Sequence, residues 1–296
     1  MIAIPSTMPS TIPAMRSPRR FTAGQDNCAI HPARNNIAAP ELPPRTRWIG
    51  DGPASMGAAT AAGPVLVHFL DIAQLGSLRV LPRVSEWHRR FGPRGLSVLG
   101  VHSPRFAFTT DRDLVASELE RLGVTHPVAD DSRHEIWHDY DPGGWPALFL
   151  WDRGGALRWA HFGEGAYEST EAEIEAALAD GPVTLAGLEA PSSANGDERS
   201  GLVPPSPDIF PGGSPSEPTS AVVEVGYAAG GVHAVLDGEG RFGFAIDGGE
   251  VKERVLTHPG LHVLAEHAAH GEHRLLIEPR DGARIWAIGF SAGSSA

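Results

Sequence analysis

Cysteine is nearly absent from this chain: its 296 residues hold one, Cys28. That count excludes an internal disulfide, a cysteine-rich zinc site and a two-cysteine redox relay within one chain. Long apolar runs are missing as well. Nothing approaches the roughly 18 consecutive apolar residues of a spanning helix, so no membrane span is expected. Basic residues are outnumbered, 24 Lys and Arg against 36 Asp and Glu, for a net charge of −12. Such a balance repels phosphate backbones and argues against nucleic acid as a partner. Gly154-Gly155 and Gly163-Glu164-Gly165 are too short and wrongly placed to cradle a phosphate, and no Gly-x-Ser-x-Gly elbow is present. No nucleotide or other cofactor is assigned.

What is present divides the chain. At roughly 150 residues per domain the length suggests two domains with tails, and 35 Gly with 26 Pro predict unstructured stretches between them. Residues 1–38 lack periodicity and read as a disordered tail. Their Arg19-Arg20 pair is not followed by an apolar core of the secretory type, which by itself points to the cytoplasm. Residues 185–220 are rich in Pro, Ser and Gly and read as a linker. That leaves 39–184 and 221–296 as the folded units.

The first unit alternates strand and helix. Val65-Leu66-Val67-His68-Phe69 is a buried-strand run, and Ser77 to Phe91 carries a helical apolar stripe in which Pro82 is expected to kink the helix. Leu96 to Val101 is a second strand. Asp111 or Asp113 caps a helix ended by Gly123. A short extended piece at His126 to Ala129, a helical turn at Ser132 to His138, a hairpin over Ala147 to His161 and a helix from Ser169 to Leu178 complete it. This pattern predicts an α/β domain with a mixed sheet. The second unit shows seven short runs separated by Asp-Gly and Pro-Gly turns, which predicts a small all-β sandwich.

The run Pro64 to Phe69, an eight-residue loop and Leu78-Arg79-Val80-Leu81-Pro82 resemble the opening of a TlpA-type thioredoxin-fold domain. Ala39-Pro40-Glu41-Leu42 with Trp48-Ile49, Arg94 to Pro104 and Trp145-Pro146-Ala147 are similar to that family's lead-in, second strand and cis-proline turn. His161 to Tyr167, and more loosely Gly271 to Phe290, are similar to DipZ-like proteins, in which a carbohydrate-binding-module-like sandwich follows the thioredoxin-like domain. The resemblance implies an extracytoplasmic site and a Cys-x-x-Cys at the helix start. Aligned behind that motif, Gln74 and Ser77 stand where the two cysteines would be. Neither side chain attacks a disulfide as a thiolate does. The expectation is therefore a redox-inactive binding or scaffolding module for a protein or peptide partner. The alternative is an oxidoreductase working with a partner thiol.

The candidate groove comprises the Gln74 loop, Trp145, Pro146, His102 and Glu164. Ser77 reads as a helix N-cap. His134 and His138 lie four apart, and His262, His267, His270 and His273 cluster in the second unit. They read as a solvated helix end and as strand histidines pointing in scattered directions, so no metal site is assigned. Trp286, Tyr227 and Phe290 would be the stacking face if the sandwich bound a glycan, with inward packing as their commoner fate.

Overall fold

The computed structural model describes residues 37–179 and 202–295. Cys28, the Arg19-Arg20 pair and the first part of the expected linker lie outside them. The α/β unit is built on a six-stranded sheet in the order β1-β4-β3-β2-β5-β6. Its strands are β1 (Arg47–Ile49), β2 (Val65–Leu70), β3 (Ser97–His102), β4 (Val128–Asp130), β5 (Ala147–Trp151) and β6 (Leu157–Phe162). β2, β3 and β4 are parallel, while β5 runs antiparallel to β2, and β1 and β6 are antiparallel edges.

Strand alternation sends the residues of β2 to two layers. Val65, Val67 and Phe69 meet Met56 and Ala59 of α1 (Met56–Ala62) and Ile136 and Tyr140 of α4 (Glu135–Tyr140). On the other face Leu66 packs against Val80, Val84, Trp87 and Phe91 of α2 (Leu75–Phe91) and Ile174 of α5 (Tyr167–Leu178). Leu70 meets Leu81 of α2 and Val115 and Leu119 of α3 (Arg112–Arg121). The Nε1–H of Trp87 donates to Glu171 Oε2 at 3.2 Å, tying α5 to α2.

Several local expectations change. α2 starts two residues earlier than the apolar stripe shows, because Gln74 and not Ser77 is its N-cap: Gln74 Oε1 accepts from the Ser77 amide at 2.6 Å. The helix runs on through Pro82, whose ring sits on the exposed side. α3 is capped by Asp111, whose Oδ1 accepts from the amides of Asp113 and Leu114. α1 has no apolar stripe. Its start is held by Ser55 Oγ, which accepts from Ala58, and by Glu41, whose carboxylate accepts from Met56 and Gly57.

The second unit is all-β. A five-stranded sheet has the order β10-β9-β11-β8-β12, and β7 (Leu202–Val203) pairs with β13 (Gly293–Ser294). The seven short runs expected from turn spacing become fewer, longer strands. β8 (Val223–Asp237) passes straight through Ala228 to Gly231, and β11 (Gly260–Arg280) passes through two register shifts, between Val263 and Ala265 and between Glu266 and Gly271. Bulges bend a strand without ending it, so a gap in the apolar pattern is not a turn here. Gly230 lies where a Cβ would come 2.4 Å from Gly293 Cα, which is how β13 crosses so closely. With β9 (Arg241–Ile246), β10 (Lys252–Val255) and β12 (Arg284–Ser291), the bent sheet closes on one core that includes Phe242, Phe244, Leu275, Ile277 and Ile288.

Residues 202–220, read as the second half of the linker, are packed on this sheet. Ile209 bridges to Ile288 and Thr219 to Ile285. A tract rich in proline loses little chain entropy on ordering, so a few apolar anchors such as Ile209 suffice to lay it down. At the other end, Ala38 bridges to Ala156 and the Ala39 amide donates to Gly155 O at 2.8 Å.

Candidate functional site

The site forms where β2 hands over to α2. Asp71 ends the strand fully buried, and its carboxylate organises the turn: Oδ1 accepts from the Ala73 amide at 2.6 Å, while Oδ2 accepts from the Arg105 amide and from Thr109 Oγ1. This carboxylate was not among the residues singled out by sequence. Its signal was an Asx turn, an aspartate bonding the amide two residues on. Asp71→Ala would leave the Ala73 and Arg105 amides short of an acceptor, while Thr109 Oγ1 keeps Phe106 O, and is expected to lower unfolding stability by about 3 kcal/mol, measured by urea titration.

The Gln74 amide side chain occupies the start of α2, and Ser77 sits in the first turn, shut off from solvent. Ser77 Oγ accepts from the Asp71 amide at 3.2 Å, and among the described residues no imidazole is bonded to it. It therefore has no base to make it a nucleophile. Between them, Gly76 faces the Trp145–Pro146 peptide, which is cis. A Cβ on Gly76 would lie 2.9 Å from Pro146 Cδ, 3.1 Å from Gln74 Oε1 and 3.2 Å from Glu164 Oε1. The structure thus gathers Gln74, Pro146 and Glu164 around one glycine. Glu164 also reaches Arg79 on the second turn of α2, at 3.6 Å.

Trp145 is half-buried and lies on Trp137, with ring centroids 4.3 Å apart. His102 does not join this group. It ends β3, which lies on the opposite side of β2 from Pro146, and it lines a shallow depression with Thr109, Arg112 and Asp130. Burial holds its pKa below the usual imidazole value, against the opposing charges of Asp71, Asp130 and Asp131.

The remaining histidines sort by element. His134 and His138 stand at the start and on the exposed side of α4. The bulge between Glu266 and Gly271 brings His267 and His273 face to face at 3.6 Å, so these two are not scattered as alternation suggests. His267 Nε2 bonds to Tyr227 OH and His273 Nδ1 to Asp247. Among the described residues no group of three or more His, Cys, Asp or Glu is arranged to hold a metal ion. Tyr227, Trp286 and Phe290 are 5%, 4% and 7% exposed: Tyr227 and Phe290 sit in the core of the all-β unit and Trp286 is covered by Phe106 and Phe108 of the first unit, so none of these rings offers a stacking face.

No protein-family model matches the chain. Protein DipZ of Mycobacterium bovis is 33% identical over 145 residues, 48% of this chain and 21% of DipZ. The α/β unit is thioredoxin-like and homologous to DipZ. This chain therefore spans about a fifth of the length of DipZ. The thiol-disulfide oxidoreductase YkuV of Bacillus subtilis is 25% identical over 141 residues, 48% of this chain and 94% of YkuV. A thiol-disulfide isomerase from Corynebacterium glutamicum has a structure with a TM-score of 0.43 at 21% identity, covering 47% of this chain and 96% of its own. Among the described residues no helix is long and apolar enough to cross a membrane.

Proposed function

We propose that the thioredoxin-like unit is a redox-inactive binding module, in which Gln74 and Ser77 stand at the positions of a lost Cys-x-x-Cys. The observation that carries this reading is the side-chain chemistry at the α2 N-terminus: an amide that caps the helix and a buried hydroxyl, beside a cis-proline turn. A helix start favours a thiolate because its free N–H groups and positive dipole end lower the thiol pKa. Here the Ser77 N–H is already taken by Gln74 Oε1, and among the described residues no cysteine is present to use the rest.

What the arrangement retains is shape. Gln74, Pro146 and Glu164 border one surface, with Gly76 as its floor, and Trp145 adjoins it in the chain through the cis peptide to Pro146. The ligand class proposed is an extended, unfolded polypeptide held without covalent chemistry. Calorimetric titration of the full chain with a reduced, carboxymethylated polypeptide tests this. Binding is expected in the micromolar range, weakened about tenfold by Trp145→Ala; no heat of binding to the native chain would overturn the reading.

A further inference from the structure

In an open α/β sheet the ligand crevice lies outside the carboxyl ends of the parallel strands. Here that crevice, beyond the ends of β2 and β3, is occupied by the chain itself. Ala73, next to Gln74, is 2% exposed, and it shares an apolar cluster with Phe106 from the loop after β3 and with Val235, Trp286 and Ala287 of the all-β unit. The Trp286 ring lies 6.2 Å from Phe106 and 5.3 Å from Phe108, centroid to centroid. Gly260 of β11 passes over the Ile72 carbonyl, where an added Cβ would stand 3.8 Å away.

Polar contacts fix the same seam. Arg105 Nη1 donates to Asp208 Oδ2 at 2.9 Å, and its guanidinium spans the rings of Phe106 and Phe210. Asp208 and Phe210 both come from the proline-rich tract laid on β12, so that tract serves as part of the joint. Large buried aromatic rings with a partnered ion pair at their edge are the anatomy of a specific interface, not of two units tethered at random.

We propose that the all-β unit is a resident cap on the thioredoxin-like unit, closing the Ile72–Ala73 and Phe106 flank of the α2 N-terminus and leaving Gln74 approachable only from the Pro146 and Glu164 side. The cap stands whether or not that open side binds a ligand. It restricts any partner to one that enters past Pro146, and it makes the two units one mechanical body.

Thiol labelling of the full chain in a Cys28→Ser background tests it. Ala73→Cys is expected to react with N-ethylmaleimide at least about 100-fold more slowly than glutathione, whereas Gln74→Cys, one residue along on the open side, reacts readily. Adding Trp286→Ala should speed labelling at position 73 at least about tenfold and leave position 74 unchanged. Where the alanine variant does not fold, Trp286→Leu and Asp208→Ala replace it. Rapid labelling of Ala73→Cys in the otherwise native chain, or slow labelling that none of the folded seam variants alters, would overturn the proposal.

Discussion

Replacing Gln74 and Ser77 together by cysteine is expected to raise the rate of dithiothreitol-driven reduction of a small disulfide at least about 100-fold above the native chain. The two positions already have the asymmetry the chemistry requires. Gln74 is half-buried at the helix start, where a thiolate would gain the Ser77 N–H that Gln74 Oε1 now occupies. Ser77 is fully buried one turn on. A cysteine at 74 would attack the substrate disulfide as thiolate, forming a mixed disulfide and releasing one substrate thiol. A cysteine at 77 would then displace the second, leaving an internal disulfide that dithiothreitol reduces. Gln74→Cys alone is expected to trap mixed disulfides without sustained turnover. A folded double variant no faster than the native chain would show that more than sulfur separates this site from an active one.

Between pH 7 and pH 5 the chain is expected to lose about 6 kcal/mol of unfolding stability, more than surface titration supplies. Three histidines carry this. Burial pushes His68 down to about 3, with His126 adding to the shift. Burial likewise takes His126 to about 4, helped by His88. His233, buried at the seam between the units, is also held near 4, by burial against the pull of Asp208. Their folded pKa values lie below the unfolded value near 6.5, so their contribution is complete above pH 6.5. It drains as acid protonates the unfolded chain but not the folded one, until the folded groups themselves accept protons near 4 and then 3. Each costs about 2 kcal/mol by pH 5. Both ring nitrogens of His68 and of His126 lack partners among the described residues, so His68→Leu is expected to be close to neutral at pH 7 and about 2 kcal/mol more stable than native at pH 5. Urea midpoints across that range measure both effects. A flat profile for the native chain would contradict the burial of these rings.

The α/β frame was legible because its signals are local. Val65 to Phe69 and Ala147 to Trp151 are continuous apolar runs, Asp111 caps its helix two and three residues on, and Gly123 ends it. Where an element depends on distant partners the sequence was silent. α1 is an Ala-rich segment held by Glu41, 15 residues upstream. β1 is three residues long and exists because it pairs with β4. In the all-β unit the turn count misled, since bulged strands carry polar interruptions without turning.

The site divides along the same line. Gln74, Pro146 and Glu164 followed from spacing and resemblance, and they converge on Gly76. His102 was misplaced because strand order, which the sequence does not print, sets it on the far side of β2. The joint through Trp286, Phe106 and Asp208 was invisible, as its members are drawn from both units and from a tract whose composition is that of a tether.

Most direct of all is a turnover assay on the purified full-length chain beside its Cys28→Ser variant, with insulin and dithiothreitol as substrate and reductant. The absence of thiol from the α2 N-terminus predicts that neither protein accelerates reduction beyond dithiothreitol alone. Acceleration that survives Cys28→Ser would contradict it.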